Sequence, residues 1–256
     1  MHLVKRRDEE KQGGKRMITV DGKWTMEGLE RTNKNRIKNY KELVKYINEI
    51  GFLPLFKNHI DGFSVEECTA ADSWWGGSVE EDPWEWREKI AGEGEVAYGK
   101  LFHNKAGFVS REWYPVFAAY RREGYDFDSR YEDGLASRKC KKIIDVLLEQ
   151  DELPSYELKA QAGFGKNGEK GFESALSLLQ MQTYITVKDF KRKRNKKNEE
   201  YGWSVAIYTL PEKLFGEEYV RSAYHMDGKY AREEIIKHLL SHFPAASHED
   251  LVKIMR

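Results

Sequence analysis

Six of the seven residues in Lys191-Arg192-Lys193-Arg194-Asn195-Lys196-Lys197 are cationic. The whole chain balances 43 Lys and Arg against 43 Asp and Glu, so no overall field draws it to a polyanion. A local run of this density is instead suited to phosphate oxygens, and Lys166 and Lys170 lie upstream of it. A second constellation has the opposite sign. Asp72, Trp74, Trp75, Asp82, Trp84, Glu85 and Trp86 fall within fifteen residues. Carboxylates beside flat aromatic faces can hold a cationic ring by charge and by cation–π attraction. They can equally cap helices beside a core built of tryptophan. From Ile60 to Gly99 there are eleven Asp and Glu against two Lys and Arg; from Ala136 to Pro211 there are fourteen Lys and Arg against ten Asp and Glu. The two regions are therefore electrostatically different.

Other chemistries lack their residues. Cys68 and Cys140 are far apart and form neither a CxxC pair nor a disulfide framework, which fits a reducing compartment. His238 and His242 are four apart on an expected helix, but no HExxH or cysteine partner accompanies them, so they are expected to face solvent and no metal site is expected. Gly163-Phe164-Gly165-Lys166 has neither the residues nor the strand context of a nucleotide-binding loop, no serine or cysteine sits in a nucleophile elbow, and no cofactor is expected. No apolar run approaches the roughly 20 residues of a membrane span. Met1 to Arg16 is charged and lacks an apolar signal core, so a disordered start over about residues 1–20 and a cytoplasmic location are expected. Met17 is an alternative start, with Ile18 to Thr25 the first ordered-looking stretch.

The elements that position these residues follow from periodicity. Leu43, Val44, Ile47 and Ile50 make the apolar stripe of a helix over Tyr40–Ile50, closed by Gly51. Phe52 to Phe56 reads as a buried connection, and Ser64 with Glu67 as a short helix start. Asp82-Pro83-Trp84-Glu85 combines a cap, a first-turn proline and capping-box spacing. Val96–Phe102 and Ala106–Val109 flank His103-Asn104-Lys105 as a hairpin. A helix follows over Pro115–Arg122, and Tyr125–Gly134 reads as a connector. Ser137 caps a helix whose buried face is Cys140, Ile143, Ile144, Leu147 and Leu148. Leu153-Pro154-Ser155 is a turn into a short helix, and Gly163–Gly168 a turn into a third, carrying Phe172, Ala175, Leu176 and Leu179. Strands are expected at Tyr184–Phe190 and Trp203–Leu210, with the basic run in the loop between them. Helix, helix, helix, strand, loop, strand is the order of a winged helix-turn-helix, in which the third helix reads a groove and the wing holds the backbone. Tyr230, Ile235, Ile236, Leu239, Leu240 and Phe243 predict one C-terminal helix, and Ser247 with Asp250 starts another.

The expected architecture is α+β and mainly helical. Its parts are an N-terminal α/β region over 21–135 with the acidic aromatic block and a hairpin, a winged helix-turn-helix over 136–212 with a β-hairpin wing, and C-terminal helices over 213–256.

One segment adds a family likeness. Lys100-Leu101-Phe102-His103-Asn104-Lys105-Ala106-Gly107-Phe108-Val109-Ser110-Arg111-Glu112-Trp113-Tyr114-Pro115, followed by the winged-helix pattern, resembles the AlkZ/YcaQ family of winged-helix DNA glycosylases, most closely the shorter AlkZ-related proteins. Two departures stand out. The family's histidine two residues before the alanine is Asn104 here, and the family's N-terminal catalytic triplet (Gln, apolar, Gln or Asp) has no counterpart upstream. Gln180-Met181-Gln182 has the composition of that triplet but lies at the end of the third helix, where a helix-to-strand junction explains it.

The resemblance implies a winged-helix fold with DNA as partner, and the charge pattern makes Lys166, Lys170, Lys191, Arg192, Lys193, Arg194, Lys196 and Lys197 the residues expected to hold it. It further implies hydrolysis of the N-glycosidic bond of an alkylated base without a metal. A base must then be flipped out, stacked on an aromatic face and its sugar cation steadied by a carboxylate. Trp74, Trp75, Trp84 and Trp86 are the stacking candidates and Asp72, Asp82 and Glu85 the catalytic ones. Against this stands the reading in which the tryptophans are core and Asp82 and Glu85 belong to a helix cap. The alternatives to a glycosylase are a non-catalytic DNA-binding regulator and a protein-interaction module.

Overall fold

Thr19–Val20 (β1) and Lys23–Trp24 (β2) pair antiparallel in a two-stranded ribbon. The structure, a computed structural model, describes residues 19–20, 23–24, 26–76, 78–166, 168–195 and 197–256. The expectation of disorder over 1–20 therefore falls almost wholly outside the described residues.

Tyr40–Ile50 (α1) forms where expected. Asn39 accepts the Glu42 N–H at 3.0 Å, and Leu43, Ile47 and Ile50 are buried. Gly51 ends the helix at φ 78°, and a Cβ there would lie 2.7 Å from the Trp113 ring, so glycine is required for both torsion and space. The buried Phe52 to Pro54 segment is a strand (β3, Phe52–Pro54). Ser64 caps Val65–Cys68 (α2), with its hydroxyl donating to the Glu67 carboxylate at 2.6 Å. Pro83–Glu93 (α3) starts as the sequence predicts: buried Asp82 accepts the Trp84 N–H at 2.9 Å.

Val96–Phe102 (β4) and Lys105–Ser110 (β5) form the expected hairpin. His103 and Asn104 turn it with φ of 46° and 64°, a pairing of positive torsions that asparagine tolerates well. Tyr114–Arg122 (α4) follows. The expected connector after it holds a helix, Phe127–Glu132 (α5), because Asp126 accepts the Ser129 N–H at 2.8 Å and Phe127 is buried. Arg138–Glu149 (α6) is capped by Ser137 as predicted. Leu148, assigned to its buried face, is instead 50% exposed, since it lies one position beyond the face formed by Cys140, Ile143, Ile144 and Leu147.

Leu153–Pro154 (β6) is an edge strand rather than a bare turn, and it leads into Ser155–Gln161 (α7), whose start has no side-chain cap. Phe172–Met181 (α8) comes next. The strands Thr186–Arg194 (β7) and Glu200–Thr209 (β8) run well into the basic stretch, with Arg194 opposite Glu200. The ladder extends this far because Asn195 closes a tight turn: its side-chain oxygen accepts the Lys197 and Glu199 N–H groups at 2.8 and 3.0 Å. The chain ends in Pro211–Phe215 (α9), Glu217–Arg221 (α10), Gly228–His242 (α11) and His248–Ile254 (α12). Tyr230, placed on the apolar face of α11, is 56% exposed. Among the described residues no helix is long and apolar enough to cross a membrane.

The fold is thus mixed α and β, with helices predominating around one antiparallel sheet of order β3-β5-β4-β7-β8-β6. Tyr98 faces Val187 at the central joint, where the Thr186 hydroxyl donates to the Tyr98 carbonyl at 3.1 Å. The sheet therefore runs across the boundary expected near residue 136, and one continuous core extends from Met26 to Met255. α3 packs on β7 and β4, while α7 packs on β8 and α8 on β4. α3, which carries part of the acidic aromatic block, is in this way brought to the root of the basic hairpin.

Candidate nucleic-acid interface and the acidic cluster at its root

The helix pair α7 and α8 and the hairpin β7–β8 together present the exposed cations. Lys166 and Lys170 are exposed ahead of α8, where they line an open hollow of about 430 Å³ with Lys159, Glu169, Phe172 and Glu173. On the hairpin, Lys191, Arg192 and Lys197 are exposed. Lys191 extends toward α7, with its ammonium 4.0 Å from the Glu157 carboxylate. Lys159 of the same helix lies 3.7 Å from Glu173 of α8. One short helix thus borders both the hairpin strand and the start of α8. Lys193 and Arg194 continue β7 opposite Tyr201 and Glu200; their side chains, and Lys196 altogether, lie outside the described residues.

From the sequence, the cations of the run from Lys191 to Lys197 are expected in a loop tip. In a strand successive side chains alternate faces, and here Lys191 turns to α7 while Arg192 acts on Glu85 of α3. The run therefore divides between two surfaces. Sequence reasoning also missed Lys139 and Lys142 of α6, which flank Glu169 at 4.0 and 2.8 Å and hold its carboxyl below the usual range. The signal for them was the basic polar face Arg138, Lys139, Lys141, Lys142.

The acidic block does not converge. Asp72 is exposed and paired with Arg31 at 3.1 Å, and Arg31 also holds Glu81 at 2.8 Å. Asp82 is the buried cap of α3. Trp86 is 1% exposed and donates to the Glu80 carbonyl at 3.2 Å; Trp74 is buried and donates to the Thr69 hydroxyl at 3.0 Å. Both are core. Trp75 is exposed, at a φ of 60°.

Of the block, Glu85 meets the hairpin through Arg192, and Trp84 lies behind Arg87, between it and Phe56. Trp84 is half-buried and has the Arg87 guanidinium 3.7 Å above its ring. Glu85 is half-buried beside it. Burial, then Glu88 and Asp82, push the Glu85 carboxyl above the ordinary glutamate range, against the pull of Arg192 and Arg87. Arg87 is buried under Phe190, its guanidinium 4.5 Å from that ring and 2.9 Å from the Glu88 carboxylate. The Ser204 hydroxyl of β8 donates to the same carboxylate. The Arg87 Nε–H and the Trp84 indole N–H are buried without an acceptor.

Gln180 is buried, with its oxygen accepting the Lys100 N–H at 3.0 Å and its amide donating to the Leu176 carbonyl at 3.3 Å. The triplet Gln180-Met181-Gln182 thus belongs to the α8–β4 junction. The segment from Lys100 to Pro115 is structural in the same way. Phe102 lies where a Cβ on Gly107 would clash at 2.5 Å, and the Tyr114 hydroxyl donates to the Thr183 carbonyl at 3.2 Å. Trp113 stacks on His238 at 4.3 Å. His238 is therefore packed rather than solvent-facing; it also contacts the Ile50 carbonyl at 3.2 Å, and burial lowers its pKa. Among the described residues no group of three metal-ligating side chains forms.

No curated protein matches this sequence. Among solved structures, the Streptomyces sahachiroi DNA glycosylase AlkZ is similar at 12% identity and a TM-score of 0.45, over 82% of this chain and 53% of that one. The chain thus spans about half the length of that relative. The family described as AlkZ related matches residues 37–256, most of the chain, and the protein belongs to that family.

Proposed function

We propose that the protein binds duplex DNA through a winged helix-turn-helix at residues 136–212 and acts there, glycosylase-like, on an alkylated base. One observation carries the binding half: exposed cations from two separate segments, Lys166 and Lys170 before α8 and Lys191 on the hairpin, border the same short helix α7. A helix start and a hairpin on one side are the two parts with which a winged helix takes a groove and its backbone. Membership of the AlkZ-related family supports DNA as the partner.

For the chemistry, Glu85 is the carboxylate of choice, because Asp72 is tied to Arg31 at the surface and Asp82 is committed to a helix cap. In the proposed hydrolysis a water adds to the sugar carbon and passes its proton to Glu85. The electrons of the broken C–N bond return to the base and neutralise the positive charge that alkylation gave it. Trp84 offers the adjacent aromatic edge.

A second reading, a non-catalytic binder, is favoured by a specific observation: the Arg87 guanidinium already covers the face of Trp84 that a flipped base would use. Titration of purified protein against plain and alkylated duplexes across a salt series, with base release measured on the same samples, distinguishes the readings. Steeply salt-dependent binding with release supports the glycosylase. Binding without release leaves the non-catalytic binder, and no binding at low salt removes DNA as the partner and leaves a protein-interaction module.

A further inference from the structure

Trp203 is 75% exposed, more than any other large apolar side chain among the described residues. Tyr201, two residues earlier on β8, is 52% exposed, and Tyr156 of α7, 39% exposed, lies near enough to interact with the Tyr201 phenol. Among the described residues the Trp203 indole has no hydrogen bond, ring contact or cation above it. An aromatic body this large is ordinarily covered, so one left bare on a hairpin is a surface with something to meet.

The backbone is arranged to expose it. The register of β7 and β8 jumps from Lys191↔Val205 to Lys193↔Tyr201. Gly202, Trp203 and Ser204 thus stand opposite Arg192 alone, a bulge that needs Gly202 at φ 73°. Within the bulge Ser204 turns inward to the Glu88 carboxylate, and Trp203 is turned out.

We infer that Trp203, with Tyr201 beside it, is a stacking face for an unpaired nucleobase in a strand whose phosphates the same hairpin holds. Charge identifies the occupant. Between Thr186 and Thr209 the sequence holds seven Lys and Arg against three Asp and Glu, and Lys191, Arg192 and Lys197 are exposed on the same hairpin as the aromatic face. Aromatic rings among cations are the composition of single-strand platforms, because every base offers a π-face and every nucleotide a phosphate. In an intact duplex the base faces are covered by their neighbours, so the indole finds its partner only where a base is unstacked or extruded. The inference rests on the reading that the hairpin binds DNA and adds which state of the strand it selects.

The test compares the full chain with Trp203→Ala and Trp203→Phe, on a duplex and on the same duplex carrying a short single-stranded gap. The wild type is expected to prefer the gapped DNA, with quenching of tryptophan emission. Trp203→Ala is expected to lose about tenfold in affinity for the gapped DNA, and the quenching, while keeping its affinity for the intact duplex and its salt slope. Trp203→Phe should retain most of the preference. Unchanged gapped-DNA binding in Trp203→Ala overturns the inference alone. A lower sedimentation mass in that variant also overturns it, since the face would then join two copies of the chain. Failure of the wild type to bind either DNA at low salt overturns both this inference and the DNA reading beneath it.

Discussion

Glu85 is held at a cost to the fold. Its folded carboxyl titrates above the ordinary glutamate range because of burial and the neighbouring Glu88 and Asp82. The folded state therefore binds the proton more tightly than the unfolded chain, and stability declines as pH rises through the interval between the ordinary and the raised values. Glu85→Gln removes that charge. It should melt higher than wild type at neutral pH, with the difference closing in acid, as followed by thermal unfolding at several pH values. If Glu85 accepts the proton of the attacking water, the same variant should lose on the order of 100-fold or more in base release. Wild-type release should then fall with acid earlier than an ordinary glutamate would dictate. Asp72→Asn should leave release unchanged, since Asp72 is an exposed carboxylate already paired with Arg31. Trp86→Ala differs in kind: its ring is core, and about 3–5 kcal/mol of stability should go with it in a urea titration.

At the scale of elements, the hairpin and the start of α8 act as one surface only if both grip phosphate. Replacing Lys166, Lys170, Lys191 and Lys197 by Gln should lower the slope of log affinity against log salt by about 0.9 for each phosphate no longer neutralised, with the circular dichroism unchanged because all four are exposed. An unchanged slope would mean that these ammonium groups are merely solvated. The elements themselves were largely legible. α1, α3 and the β4–β5 turn follow from the apolar stripe closed by Gly51, the Asp82-Pro83 start and His103-Asn104, where periodicity, local hydrogen bonding and torsion decide the outcome. What was not legible depended on partners distant in sequence. Charge density made 191–194 look like a loop, whereas the Asn195 turn and pairing with β8 continue the strand and split its cations between two faces. The seven residues of the acidic block looked like one site because they are neighbours in sequence. The helix start at Asp82 turns Trp86 inward and leaves Asp72 to Arg31, so Glu85 is the member of the block that meets the hairpin, with Trp84 behind Arg87.

Across the whole molecule, the joint between β4 and β7 is reinforced by one buried cation. Arg122 of α4, 1% exposed, donates to the Thr183 hydroxyl at 3.1 Å, to the Tyr224 hydroxyl at 2.9 Å, to the Thr183 carbonyl and to the Glu212 carboxylate. Thr183 sits at φ 63° between α8 and β7, so this single guanidinium ties α4 to the turn that launches the hairpin and to α9. Arg122→Met should cost about 3–5 kcal/mol, because Glu212 is left without its cation and the Thr183 carbonyl keeps only the Tyr114 hydroxyl. A continuous sheet and a continuous core on both sides of residue 136 further imply that the two halves unfold together. The tryptophans offer a way to see this. Six of the seven, Trp24, Trp74, Trp75, Trp84, Trp86 and Trp113, precede residue 136, and Trp203 alone follows it. In Trp203→Phe, emission reports on the first half only, while far-ultraviolet circular dichroism reports on helices throughout the chain. Coincident urea transitions by the two probes are expected for one cooperative unit. A fluorescence transition displaced from the dichroism transition would instead divide the chain at the β4–β7 joint, and Arg122→Met should then widen the gap.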